Sequence, residues 1–157
     1  MMWLMSLLIP LPTGEVMLEA AIFDVNGTLT DRGRLLGGVV ERMSRLRTVL
    51  RIQLVSSDTY GTLDDVAAEL GLDARRVRDA AEKVSVLHNL GADTSVAVGN
   101  GHNDRLVLAE AALGIAVVGP EGSAQSALAS ADLVCPSILV ALDLLLDPTA
   151  LAATLRP

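Results

Sequence analysis

Four short stretches of this chain carry residue types that could do chemistry. The first is Ile22-Phe23-Asp24-Val25-Asn26-Gly27-Thr28, where a carboxylate directly follows an apolar run and a glycine able to take a tight turn comes soon after. The second is Leu54-Val55-Ser56-Ser57-Asp58-Thr59, with hydroxyls at the end of another apolar run. Lys83 is the third, and Val98-Gly99-Asn100-Gly101-His102-Asn103-Asp104 is the fourth. Singly, each has an ordinary explanation. Asp and Asn close loops through their own side chains, Ser and Asp cap helices, and a lysine on a helix usually keeps its ammonium in water. His88 lies in a helical stretch and reads as structural, and His102 as a loop residue.

The elements around these stretches give them a shared setting. Short apolar runs predict strands over residues 18–23, 51–55, 95–98 and 115–118, with a short edge strand over 132–135. Between them, helical patterns span 37–50, 62–70, 75–90, 104–112, 123–130 and 138–146; a short strand over 76–78 is the alternative at the start of the third. Gly71 and Gly91 mark helix ends, and Pro148 follows the last helix. Strands alternating with helices imply crossover connections and a mostly parallel sheet. The expected fold is therefore α/β, a three-layer Rossmann-like arrangement with helices on both faces. Ligands of such sheets bind beyond the carboxyl ends of the strands, which is where the loops after Phe23, Val55 and Val98 stand.

Taken together, the four stretches resemble the motifs of the haloacid-dehalogenase superfamily, in order, over residues 22–104. Asp24-Val25-Asn26-Gly27-Thr28 is similar to that family's Asp-x-Asp-Gly-Thr, and Gly99-Asn100-Gly101-His102-Asn103-Asp104 to Gly-Asp-Gly-x-Asn-Asp. Ser56-Ser57-Asp58 resembles the Thr-Gly-Asp run of P-type ATPase phosphorylation domains, and the closest branch is the stand-alone, soluble P-type ATPase-like group. The resemblance implies a hydrolase of phosphate esters or anhydrides. Asp24 would attack phosphorus and carry an aspartyl-phosphate, splitting one displacement into two steps. Lys83 would neutralise the nucleophile and the phosphate, and Thr28, Ser56, Ser57 and Asn103 would serve the loop and the phosphoryl oxygens. Asp24, the backbone carbonyl of Asn26, Asn100 and Asp104 would hold Mg²⁺, a hard cation that prefers oxygen; imidazole is a poor ligand for it, which leaves His102 outside the set.

Two acids of the family pattern are amides here. Asn26 cannot shuttle the proton that Asp supplies at that position, a transfer typically contributing ~10²–10⁴-fold; the expectation is slow dephosphorylation, or a phosphate-binding or regulatory module with the same fold. Asn100 offers a neutral oxygen where a carboxylate is usual, so the metal site should be weaker. Both amides precede glycine, a sequence favourable for deamidation, and the sequence alone predicts that aged protein gains acid and activity there. The segments between Asp24 and Ser56 and between Ser56 and Lys83 are too short for a cap domain, so the site should be open to a phosphorylated small molecule or macromolecule, or be covered by a neighbouring subunit in a homo-oligomer.

Composition sets the outer limits. With 157 residues, 51% hydrophobic and 2% aromatic, the chain can build one aliphatic core. A net charge of −7 and few aromatic rings argue against a nucleic-acid partner. Cys135 is the only cysteine, so no internal disulfide can form; this fits a reducing compartment, and the expected location is cytoplasmic, with no membrane partner. The first twelve residues are apolar but too short to span a bilayer. Because Met17 directly precedes the first strand, residues 1–16 are expected to be a loosely held extension or the product of an upstream start, and 17–157 a single domain.

Overall fold

The computed structural model describes residues 6–11 and 14–156. Its centre is a six-stranded sheet in which every adjacent pair is parallel. In spatial order the strands are β10 (Leu133–Cys135), β9 (Leu113–Val117), β8 (Ser95–Gly99), β3 (Ala20–Asp24), β6 (Arg51–Ser56) and β7 (Ala74–Arg76). The chain runs outward from β3 to β6 and β7, then crosses back to β8, β9 and β10. Strand order therefore reverses at β3, and crevices form beyond the carboxyl ends at such reversals.

Alternation along the strands sorts the side chains into two cores. Ala21, Phe23, Leu54, Val96, Val98, Ile115 and Val117 face one side, where α1 (Val39–Leu46), α2 (Leu63–Leu70), α6 (Ile138–Leu145) and α7 (Pro148–Leu155) cover them. Ile22, Val55, Ala97 and Ala116 face the other, under α3 (Ala80–Leu90), α4 (Arg105–Glu110) and α5 (Gln125–Ser130). Strands buried on both faces read as continuous apolar runs, as parallel strands should. The three-layer arrangement expected from the sequence is present.

Three local differences have simple physical causes. Residues 74–76 form strand β7, and the helix begins only at Ala80, where Asp79 caps it by accepting the Glu82 N–H. Pro148 does not follow the last helix: it opens α7, since its missing N–H costs nothing in a first turn, and Asp147 caps that turn. The N-terminal segment forms strands over its described part. β1 (Leu7–Leu11) and β2 (Gly14–Leu18) form an antiparallel hairpin that packs on α7, with Ile9 in the core; residues 1–5, 12 and 13 lie outside the described residues. A second small hairpin, β4 (Thr30–Asp31) and β5 (Arg34–Leu35), forms a flap beside the crevice. No inserted domain interrupts the described residues between Asp24 and Lys83. No single helix among them is long and apolar enough to cross a membrane.

Candidate active site

Asp24 is the last residue of β3 and is 7% exposed. The loop after it wraps around one carbonyl: Val25 O faces the amides of Thr28, Leu29 and Thr30 at 2.9–3.2 Å and accepts the Thr30 hydroxyl at 3.2 Å. Gly27 permits this winding with φ +75°, and a Cβ there would lie 2.5 Å from the Asn100 amide nitrogen. Position 27 thus needs glycine for both its conformation and its contact.

Lys83 lies on the buried stripe of α3 with Ala80, Val86 and Leu87, not on its wet face. Its side chain is fully buried, and Nζ donates to Asp24 Oδ1 at 2.8 Å and to Asp104 Oδ1 at 2.6 Å. The other Asp104 oxygen accepts the backbone N–H of Asn100 at 3.1 Å and of Gly101 at 2.9 Å. Asp104 is 1% exposed and both its oxygens are engaged. It anchors Lys83 and folds the loop between β8 and α4.

One lysine between two buried carboxylates leaves a net negative charge. Burial pushes the Asp24 carboxyl up to about 7, the charge of Asp104 adds to the rise, and Lys83 and Thr28 oppose it. Lys83, pulled down by burial, ends above its ordinary value because both carboxylates hold its proton. Strong perturbation by burial plus specific partners, at the carboxyl edge of a parallel sheet, is a mark of functional sites.

The opposite side of Asp24 is neutral. Thr28 Oγ1 lies 3.0 Å from Asp24 Oδ2 and 3.1 Å from Asn100 Oδ1. Asn100 Nδ2 donates to Gly122 O at 3.1 Å. These three oxygens share a single hydroxyl hydrogen, which suits a place where a cation completes the set. Among the described residues no cluster of three or more His, Cys, Asp or Glu could hold a metal. A divalent ion would need oxygen ligands, and Asp24, Asn100 and Asp104, gathered here, fit that hard-oxygen requirement.

Ser56 ends β6 beside β3; it is buried, and its oxygen accepts the Asp58 N–H at 2.9 Å, which leaves its own proton free to donate. Ser57 is exposed and pairs with the Thr59 hydroxyl. Asp58 caps α2 through the Leu63 N–H. Asn103 packs over Gly101 and makes no hydrogen bond to Asp24. Asn26 stands two residues after Asp24, and its side-chain Nδ2 is buried with no partner among the described residues.

A rim that the motifs do not contain surrounds this centre. Glu121, in the turn after β9, accepts the Tyr60 hydroxyl at 3.1 Å and the Arg32 N–H of the flap at 2.9 Å. Thr62 donates to Gly33 O at 2.8 Å, fastening the flap from the other side. One signal was available: Pro120-Glu121-Gly122 follows a strand at the same carboxyl edge as the motifs.

No family model matches the chain. Uncharacterized protein MJ0073 of Methanocaldococcus jannaschii is 49% identical over 61 residues, which cover 39% of this chain and 66% of that protein. Solved structures match across nearly the whole fold. The magnesium-, phosphate- and KDO-bound 3-deoxy-D-manno-octulosonate 8-phosphate phosphatase of Moraxella catarrhalis superposes with a TM-score of 0.67 at 17% identity, over 87% of this chain and 90% of that one. A probable YrbI-family phosphatase of Pseudomonas syringae gives 0.69 at 20%, over 89% and 94%. The cobalt-bound YrbI phosphatase of Haemophilus influenzae gives 0.68 at 15%, over 89% and 94%. At these identities the likeness is one of fold: the chain has the haloacid-dehalogenase-like α/β fold without a cap.

Proposed function

We propose that the chain is a phosphohydrolase that works through an aspartyl-phosphate on Asp24. The observation that carries this reading is Lys83, a fully buried ammonium held between Asp24 and Asp104. Burying such a trio is costly for a fold that needs only stability, and it is well suited to holding a carboxylate against an incoming phosphate. The fold shared with phosphatases supports the same reading.

In the first step an Asp24 carboxylate oxygen bonds to phosphorus and the bond from phosphorus to the leaving oxygen breaks. Lys83 offsets the charge gathered at Asp24, Thr28 fixes the carboxylate's orientation, and the Ser56 hydroxyl donates to a phosphoryl oxygen. The leaving oxygen takes its proton from water, because Asn26 has none to give. In the second step water attacks phosphorus, the bond to Asp24 breaks, and the water's proton passes to solvent without help from position 26. This step is the slow one. Mg²⁺, which Asp24, Asn100, Asp104 and the Asn26 carbonyl would hold, would supply neutralisation of the phosphoryl oxygens. A phosphorylated small molecule is the favoured substrate class, as in the Moraxella catarrhalis phosphatase that binds KDO and phosphate.

A chromogenic phosphate ester tests this directly. About one equivalent of product should appear in a burst, followed by slow turnover, and both should vanish in Asp24→Ala. Turnover that survives Asp24→Ala sinks the assignment. A second reading, a phosphate-binding regulatory module, is favoured by the unpartnered Asn26 Nδ2, which a bound phosphoryl oxygen would satisfy. Beryllium fluoride trapping without any ester turnover supports that second reading.

A further inference from the structure

The simplest view of Asn100 is that of a metal-ligating acid weakened to an amide. Its surroundings say otherwise. Gly122 O, 3.1 Å from Nδ2, is a backbone carbonyl and can only accept. The group facing it must therefore be an NH₂, which settles the amide's orientation without appeal to electron count. The same orientation turns Oδ1 toward Thr28 and, through Thr28, toward the nucleophile.

The backbone makes the arrangement tighter. Asn100 O accepts the Ala124 N–H at 2.8 Å and the Ser123 hydroxyl at 3.2 Å. The turn closes on itself through Gly122 N to Gly119 O at 3.0 Å, with Pro120 at a position that favours such turns. This turn carries Glu121, which holds both Tyr60 and the flap. Asn100 is thus the link between the nucleophile's neutral side and the rim.

We propose that Asn100 is a positioning residue that must be an amide: its oxygen is presented to the Asp24 side while its nitrogen fastens the 119–122 turn. An aspartate there could do the first and would oppose the second. A carboxylate would face Gly122 O across 3.1 Å with no proton between them, in a site that already holds Asp24 and Asp104. Restoring the family's acid at position 100 therefore damages this protein. Deamidation at Asn100 is also resisted, because Gly101 N, the atom that would attack the amide carbon, is held by Asp104 at 2.9 Å. The proposal runs opposite to the expectation from sequence that conversion of this amide to acid improves the site. The inference rests on the phosphohydrolase reading only for the chemical role of the oxygen; the fastening is structural and is tested without any turnover.

Thermal melts in EDTA of wild type, Asn100→Ala and Asn100→Asp provide the test. The alanine variant loses the bond, and the aspartate variant loses it and adds repulsion. Asn100→Asp should melt roughly 3–10 °C below wild type and below Asn100→Ala as well. Hydrogen exchange of the Gly122 and Ala124 amides should quicken in Asn100→Asp. An Asn100→Asp protein at least as stable as Asn100→Ala overturns the proposal. Wild-type protein gives an independent reading through peptide mapping after warm incubation at mildly alkaline pH. Deamidation at Asn100 should be slower by about tenfold or more in the folded protein than in the chain unfolded in urea, since two hydrogen bonds must first open. Equal rates overturn the proposal. If wild type shows no phosphohydrolase activity while these results hold, the functional reading fails and the fastening stands; the reverse pattern removes only the fastening.

Discussion

The two oxygens of Asp24 face opposite chemistries. Oδ1 meets Lys83 and, behind it, Asp104: a sealed, charged cluster built on α3 and the loop after β8. Oδ2 meets Thr28, then Asn100, then a backbone carbonyl: a neutral, partly open chain of hydrogen bonds running to the rim. The charged half holds two carboxylates and the ammonium between them. The neutral half holds both amides. On the proposed reading, Asp24 is therefore well served for attack on phosphorus and poorly served when the phosphate must leave.

The sharpest way to break this contrast is to remove the cation. Lys83→Met leaves Asp24 and Asp104 facing each other without compensation and should cost about 3–5 kcal/mol, read from the urea midpoint, together with all burst activity. A variant that folds as well as wild type would show that the charged half does not depend on its lysine.

A smaller effect, of opposite sign, belongs to the neutral half. Asn26→Asp supplies the missing proton carrier and removes the unpartnered Nδ2. Steady-state turnover should rise on the order of 10²-fold while the burst amplitude falls. An unchanged rate would place the slow step elsewhere.

The mildest effect joins the two halves. Without metal, the folded protein holds the Asp24 proton up to about 7, whereas the unfolded chain releases it near 3.8. Across that window the folded state binds the extra proton, so stability falls as pH rises through it. Mg²⁺ favours the ionised carboxylate, so the gain in Tm that it gives should grow from about pH 5 to about pH 8, by a few degrees at concentrations well above Kd. A gain independent of pH would separate the ion from Asp24.

Much of this was legible in the sequence. Apolar runs ended by turn residues located the inner strands, and their alternation with helices implied the parallel sheet whose carboxyl edge gathers Asp24, Ser56 and Asn100. Other features lay beyond that reading. Pro148 can stop a helix or start one, and only the cap at Asp147 decides. The hairpin of residues 7–18 depends on pairing between two apolar segments that look alike to any periodicity. Asp104 and Asp24 are the same residue type; that both meet Lys83 depends on a helix arriving from another layer. Asn100 looked like a loss because its partner, Gly122 O, has no side chain to mark it.

The sheet's strand order also bears on synthesis. β3, which carries Asp24, leaves the ribosome before either neighbour, and its pairing with β8 waits until most of the chain is made. Contacts so distant in sequence form late, because closing long loops costs entropy before it yields any packing. Asp24 can therefore meet Lys83 and Asp104 only after residues 83 and 104 have been made and docked beside β3, so a chain that stops short of residue 104 cannot assemble the ion cluster.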